Sequence, residues 1–237
     1  MTLIFIVRRS ALSLLVPCAL LVAFGLLSGG SPRGTPVLPT NSVIREGNPA
    51  RCEVALMFNV DWGEESLPSI FSTLAAKNVR VTFFVTGRWA RSNPDLVIQM
   101  AAKGHEVASH GNLHALPTKL GDADLDNLIS GGIATLTTIL GGEPAPLFAP
   151  PSGDCDARVA RAAERLGCKT ILWTIDTVDW KRPPARSIAD RALGKARAGT
   201  LILMHPTTPT AEALPKIIDG LRQRGLEPVT VSKAIKP

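Results

Sequence analysis

The stretch EVALMFNVDWGEE, residues 53–65, holds an apolar run that stops abruptly at Asn59, Asp61, Trp62 and Gly63. A short continuous apolar run bounded by turn residues reads as a strand buried on both faces, as in a parallel sheet. That such a strand ends in an amide, a carboxylate and an indole suggests that its end is where chemistry takes place.

Outward from this stretch the chain keeps alternating. Further β-rich runs are VRVTFFVTG (79–87), HEVAS (105–109), PLFAP (146–150), KTILWTID (169–176), GTLILMH (199–205) and EPVTVS (227–232). Helix-like segments lie between them. SLPSIFSTLAAKN (66–78) carries Leu67, Ile70, Phe71 and Leu74 at helical spacing. NPDLVIQMAAKG (93–104) opens with Asn93 as cap and Pro94 at the first helical position, and closes on Gly104. DADLDNLISGGIATLTTILGG (122–142) has Asp122 as a cap, and Gly131–Gly132 is expected to interrupt it. DARVARAAERLG (156–167) and TAEALPKIIDGLRQRG (210–225) both stop on glycine. Strand–helix alternation implies a parallel sheet covered by helices. The expected fold is α/β, a distorted (β/α) barrel with about seven parallel strands.

Length and charge bound the rest. The 237 residues leave room for one domain of about 200 residues and an appendage. Of the net charge of +6, half sits in the first fifty residues, on Arg8, Arg9, Arg33 and Arg45 against Glu46. This is not the dense basic stripe of a nucleic-acid binder, so no nucleic-acid partner is expected. It suits an anionic surface such as a cell wall. Of the four cysteines, none has CxxC spacing, so neither a zinc knuckle nor a redox pair is indicated. They read as mostly free thiols, with Cys155–Cys168 the one pairing to consider.

Arg8 and Arg9 precede a run without charge from Ser10 through Pro32. Its length approaches the ~20 apolar residues that span a bilayer. Residues 1–30 are therefore expected to be a membrane-spanning signal anchor in preference to a cleaved signal peptide, with the arginines on the cytoplasmic side. Residues 31–50 read as a Pro/Gly/Ser linker, and residues 51–237 as the folded domain. The expected location is extracytoplasmic, membrane-anchored or, if the segment is cleaved, secreted.

In such folds the site is built from loops at the carboxyl ends of strands. Asn59, Asp61 and Trp62 follow the first strand, SHGNLH (109–114) the third, APPSG (149–153) the fourth and DTVDW (176–180) the fifth. The sixth ends in MHP with His205. Three of the four histidines fall at these positions, and the fourth, His105, begins a strand and reads as structural. His110 and His114 are four apart, which on a helical turn puts both imidazoles on one face. With Asp61 they would make a two-histidine, one-carboxylate set for a divalent metal. Zinc is favoured, with cobalt, nickel or manganese as alternatives.

FNVDWG, SHGNLH, FAPPSG, DTVDW and LILMHP, in this order and spacing, resemble the polysaccharide deacetylase family. It is also called the NodB-homology family or carbohydrate esterase family four. The likeness runs from Cys52 to Ser232 and is greatest to its sporulation-associated branch. The resemblance implies a metal-dependent hydrolase that removes acetyl groups from the amino sugars of peptidoglycan or chitin-like polymers. Cell-wall glycan would be its partner.

It also implies roles. His110 and His114 resemble metal ligands, His205 the general acid, and Asp176 the carboxylate that orients it. Trp180 and Trp62 resemble walls of the substrate site, and Ser152 with Gly153 the oxyanion-binding turn. Two motifs depart from the pattern. The first is T-F-D-D in active members, with the base first and a metal ligand second. Here those positions are Asn59 and Val60, and an amide does not take up a proton at neutral pH. Asp61 serves only if the loop holds an extra residue, and Glu64 or Glu65 is a base only if the loop folds inward. The third motif, R-P-P-Y-G, supplies an arginine that supports the base; here Ala149 replaces it. Weakened deacetylation is one expectation. The alternative is a non-catalytic protein that binds wall glycan through Trp62 and Trp180.

Overall fold

The computed structural model describes residues 43–237. The expected signal anchor of residues 1–30 lies outside them. Among the described residues no helix is long and apolar enough to cross a membrane.

In chain order the elements are β1 (Val43–Ile44), β2 (Glu53–Val60), α1 (Leu67–Ala76), β3 (Thr82–Val85), α2 (Gly87–Ser92) and α3 (Pro94–Ala102). There follow β4 (Glu106–Ser109), α4 (Asp122–Leu140), β5 (Ala145–Phe148), α5 (Ala157–Arg165), β6 (Lys169–Ile171) and β7 (Ile175–Asp176). The chain ends with α6 (Ala185–Gly194), β8 (Leu201–Met204), α7 (Thr208–Gln223), β9 (Glu227–Val229) and α8 (Val231–Ala234).

The strands form one nine-stranded sheet in the order β1-β6-β5-β4-β3-β2-β8-β7, with β9 paired to β2. All its pairings are parallel. Two strands exceed the expected seven, for separate reasons. β1 lies inside the stretch read as linker, yet Val43 and Ile44 pair with Thr170 and Ile171. The run KTILWTID splits in two because its neighbour changes: Leu172 N–H donates to the Ile44 carbonyl, and Thr174 N–H to that of Leu201. The same segment bridges the ends of the curled sheet. Thr174 Oγ1 donates to the Arg45 carbonyl at 2.7 Å, and Gly47 N–H to that of Gly199 at 2.7 Å. The result is a curled, incompletely closed barrel.

The pleat of β2 sorts its residues. Val54, Leu56, Phe58 and Val60 point outward and join α1, α3, α6 and α7 in the larger core. Ala55 and Met57 point inward and pack with Phe84, Ala108, Leu147, Ala149, Ile171, Leu201 and Leu203. Val231 and Ala234 of α8 belong to this inner core. α8 closes the amino end of the barrel, since Val231 N–H donates to Thr82 Oγ1 at the start of β3. The inner core therefore forms a floor, and the carboxyl ends of the strands are left to line a mouth.

α4 runs unbroken through Gly131 and Gly132, against expectation, and its cap position is Gly121. A Cβ at Gly132 would lie 2.7 Å from the Gly111 carbonyl carbon, so the absent side chain permits close docking on the histidine loop. Three helices differ from expectation: α2, hidden behind a strand-like run, α6, whose charged residues obscure Ile188, Ala189, Ala192 and Leu193, and α8, which begins inside the run read as the last strand. Cys52, Cys155 and Cys168 are free thiols.

His105 is structural, as expected. It is 7% exposed, stacks against Phe71 and meets Phe83 edge-on. Burial, with Arg80 and Lys103 nearby, pushes its pKa down to about 4. The unfolded chain therefore takes up this proton first, below its ordinary value near 6.5. The contribution to stability is full above that value and is lost as pH falls toward 4, at up to about 1.4 kcal/mol per pH unit. Chemical denaturation of wild type and His105→Gln across this range is expected to show a shallower acid slope in the variant.

Candidate active site

Parity along β2 carries inward from Ala55 and Met57 to Asn59 and Asp61. Asn59, Asp61, Trp62, His110, His114, Ser152, Asp176, Trp180 and His205 all line one cavity of about 490 Å³, together with Trp173 and Leu203. Segments as distant as residues 59 and 205 thus converge at one mouth of the barrel, as the strand-end reading requires. Gly153 is the one expected site residue outside this lining. Its N–H is spent on the Pro150 carbonyl at 2.9 Å, and a Cβ there would lie 2.6 Å from the Trp173 indole. Its role is to let Trp173 close over the turn. Ser152 sits in the left-handed region at φ 57°. Strain of this kind persists where the surroundings enforce it, often at ligand sites.

Asn59 is 4% exposed, and its Oδ1 is buried without a hydrogen-bond partner. Ala149 is fully buried in the inner core and leaves a methyl group where the third motif's arginine was expected. Val60 points away from the cavity into the helical layer, so it could not present a ligand whatever its side chain.

His110 and His114 meet edge to face with ring centroids 5.2 Å apart. They do so from a loop, not the helical turn expected. The loop is pinned by three backbone bonds, two with α2 and one with α4. Gly87 N–H donates to the Gly111 carbonyl, Arg88 N–H to that of Asn112, and Asn112 N–H to that of Leu128. His110 Nδ1 donates to the Ala149 carbonyl at 2.6 Å, which leaves Nε2 as the lone-pair nitrogen. Burial, reinforced by His114, pushes the His110 pKa down to about 3 and keeps the ring neutral.

Asp61 differs most from expectation. Its side chain is 6% exposed, and both oxygens are engaged. Oδ1 accepts from Thr86 Oγ1 at 2.6 Å and Arg88 Nε at 2.7 Å, and Oδ2 takes the second Arg88 donor. Burial works to raise its pKa, but the Arg88 and Thr86 hydrogen bonds outweigh it and hold the carboxyl below its ordinary value. The expected set of His110, His114 and Asp61 is therefore not assembled for zinc or another divalent ion. Among the described residues no three His, Cys, Asp or Glu side chains come together as a metal site. The alternative bases also fail. Glu64 accepts from the Trp89 indole at 3.1 Å, and neither Glu64 nor Glu65 lines the cavity. The Glu64 carboxyl is held below its ordinary value by its own backbone N–H and by Trp89.

At the opposite wall the orienting carboxylate is Asp179, not Asp176. Asp179 is fully buried. Its Oδ1 accepts from His205 Nδ1 at 2.8 Å, and its Oδ2 from His205 N–H at 2.6 Å and Thr210 Oγ1 at 2.7 Å. Asp176 Oδ1 instead accepts the Val178 N–H at 2.7 Å and shapes the turn. Val178 (φ 56°) and Arg182 (φ 53°) flank Asp179 in left-handed conformations, unusual above all for a β-branched residue. With Nδ1 donating to Asp179, His205 keeps its other nitrogen for a ligand or substrate. Trp62 stacks on the His205 ring (5.9 Å, 5°), and the Arg182 guanidinium lies 6.0 Å from the Trp62 ring centroid. Trp180 is 49% exposed beside the mouth, with Lys181 Nζ over its ring at 4.9 Å.

Sequence reasoning missed Asp179 as the partner of His205, Arg88 and Trp173. DTVDW offers two carboxylates three apart, and only the turn decides between them. Arg88 lies between the run read as a strand (79–87) and the one read as a helix (93–104), with nothing local to mark it.

The family model for polysaccharide deacetylase matches residues 46–171. An uncharacterized protein of Bacillus subtilis, YlxY, is 35% identical over 190 residues, covering 80% of this chain and 59% of the relative. A peptidoglycan-N-acetylglucosamine deacetylase of Bacillus cereus is 30% identical, covering 77% of this chain and 88% of the relative. Among solved structures, a CE4 family pseudoenzyme from Bacillus anthracis aligns with TM-score 0.81 at 31% identity. That alignment covers 84% of this chain and 70% of the other. A mutant of that pseudoenzyme with restored enzymatic activity aligns equally well.

Proposed function

Because this chain belongs to the polysaccharide deacetylase family of hydrolases, whose members include pseudoenzymes, we propose that it holds N-acetylated cell-wall glycan in this cavity. In this reading, deacetylation is strongly impaired or absent. The observation that carries it is Asn59: a buried amide, its oxygen unpartnered, stands where the base would act. Positioned proton transfer is typically worth about 10²–10⁴ in rate. The remaining walls suit a sugar. Trp62, Trp173 and Trp180 offer ring faces, and His205 offers a hydrogen-bonding nitrogen held in place by Asp179.

The same reading places the folded part outside the cytoplasmic membrane, tethered or released. The basic and apolar N-terminal sequence supports that location, as does a wall-glycan ligand. The family generally uses a divalent ion, with zinc the natural candidate. Here the reading does not depend on one, because Asp61 is committed to Arg88.

Titrating the full chain with an acetylated chito-oligosaccharide, followed by tryptophan fluorescence, tests the reading. Saturable binding is expected, with weaker binding of the fully deacetylated oligomer. Trp180→Ala is expected to weaken it about tenfold, the scale of one lost aromatic stacking contact with its buried area. Equal affinity for both oligomers, or none for either, would overturn it.

A further inference from the structure

Arg88 makes two ties at once. Its backbone N–H donates to the Asn112 carbonyl at 2.8 Å, inside the loop that carries His110 and His114. Its guanidinium grips Asp61, at the end of β2, with two donors. The planar fork matches a carboxylate in a way a point charge does not. Thr86 backs the arrangement. Its Oγ1 donates to Asp61 at 2.6 Å and accepts from Trp89 N–H at the start of α2. Both oxygens of Asp61 are thus engaged by protein donors, Oδ1 by two and Oδ2 by one. The guanidinium itself stands half exposed at the rim, so no buried cation lacks a path to water.

We propose that Arg88 is the resident cation of this site. It holds Asp61 in place of a divalent ion and fixes the histidine loop to the same anchor. The cavity is then preorganised without metal, and Asp61 is a positioning residue for α2 and the loop, not a ligand. An incoming ion would find two imidazoles and would have to break the Asp61–Arg88 pair to gain a third ligand. This inference goes beyond the glycan reading and does not depend on it, because its test measures metal affinity and not sugar binding.

The experiment is calorimetric titration of the purified full chain with zinc chloride, with circular dichroism as the folding control. The wild type is expected to bind zinc weakly, and Asp61→Asn to leave that affinity unchanged within about twofold. Arg88→Ala is expected to tighten zinc binding by at least about tenfold, because it frees the carboxylate, and the double variant Arg88→Ala/Asp61→Asn to lose the gain. Arg88→Lys keeps the charge but not the fork and is expected to fall between. Tight zinc binding by the wild type that drops tenfold or more in Asp61→Asn would overturn the proposal. So would a folded Arg88→Ala protein with wild-type zinc affinity. If Arg88→Ala does not fold, the Asp61→Asn comparison alone decides.

Discussion

Asp179→Ala is expected to destabilise the protein by about 3–5 kcal/mol, while Asp176→Ala costs about 1 kcal/mol or less. The two carboxylates are three residues apart and nearly equivalent on paper. In the fold, Asp179 is fully buried and receives the His205 N–H, the His205 ring and the Thr210 hydroxyl. Removing it strands three donors away from water. Asp176 is half-buried and takes one backbone N–H that solvent could satisfy. For a domain of this size the larger loss corresponds to a fall in Tm of roughly 10 °C. Asp179→Asn keeps the shape but loses the charge-assisted bonds and is expected to fall between. Thermal unfolding of the three variants checks the order. Glycan affinity in Asp179→Asn reports the positioning role separately, because an asparagine that still folds would leave the His205 ring free to turn. Equal losses for Asp176→Ala and Asp179→Ala would contradict the assignment.

Asn59→Asp is expected to raise the rate of acetate release by about 10², the lower end of what a positioned base supplies. Two features hold the gain at that end. Ala149 provides no arginine behind the new carboxylate, and Asp61 stays with Arg88. The substitution is also expected to lower stability by about 2 kcal/mol, since it places a charge where the amide oxygen already lacks a partner. The combination is diagnostic: activity rises while Tm falls. A merely structural Asn59 would give the fall without the rise. Initial rates on an acetylated chito-oligosaccharide, read beside thermal unfolding, measure both.

Much of the fold was legible because burial writes a strong pattern. Apolar runs of strand length alternate with helical spacing from Cys52 onward, and the polar breaks after them mark the mouth of the barrel. Pairing register was harder. β1 is only Val43–Ile44, too short to show a period, and it is held by pairing with its neighbour β6. Gly131 and Gly132 look like a helix break in one dimension, yet the Ser109–Asn112 segment docks against the space they leave. The site was legible as a set of residues but not as a set of partners. His110, His114 and Asp61 reach one cavity, as the spacing suggests, but Asp61 turns to an arginine twenty-seven residues away that no motif singles out. Likewise the choice of Asp179 over Asp176 depends on the left-handed turn at Val178, which a β-branched residue does not advertise.

The most direct test of the whole account follows a chito-oligosaccharide carrying isotopically labelled acetyl groups by NMR in the presence of the wild-type protein. The account predicts that the acetyl resonances shift or broaden as the sugar enters the cavity. Free acetate should accumulate at least about 10² more slowly than with Asn59→Asp. Rapid acetate release by the wild type, at a rate matching or exceeding that variant, would contradict it.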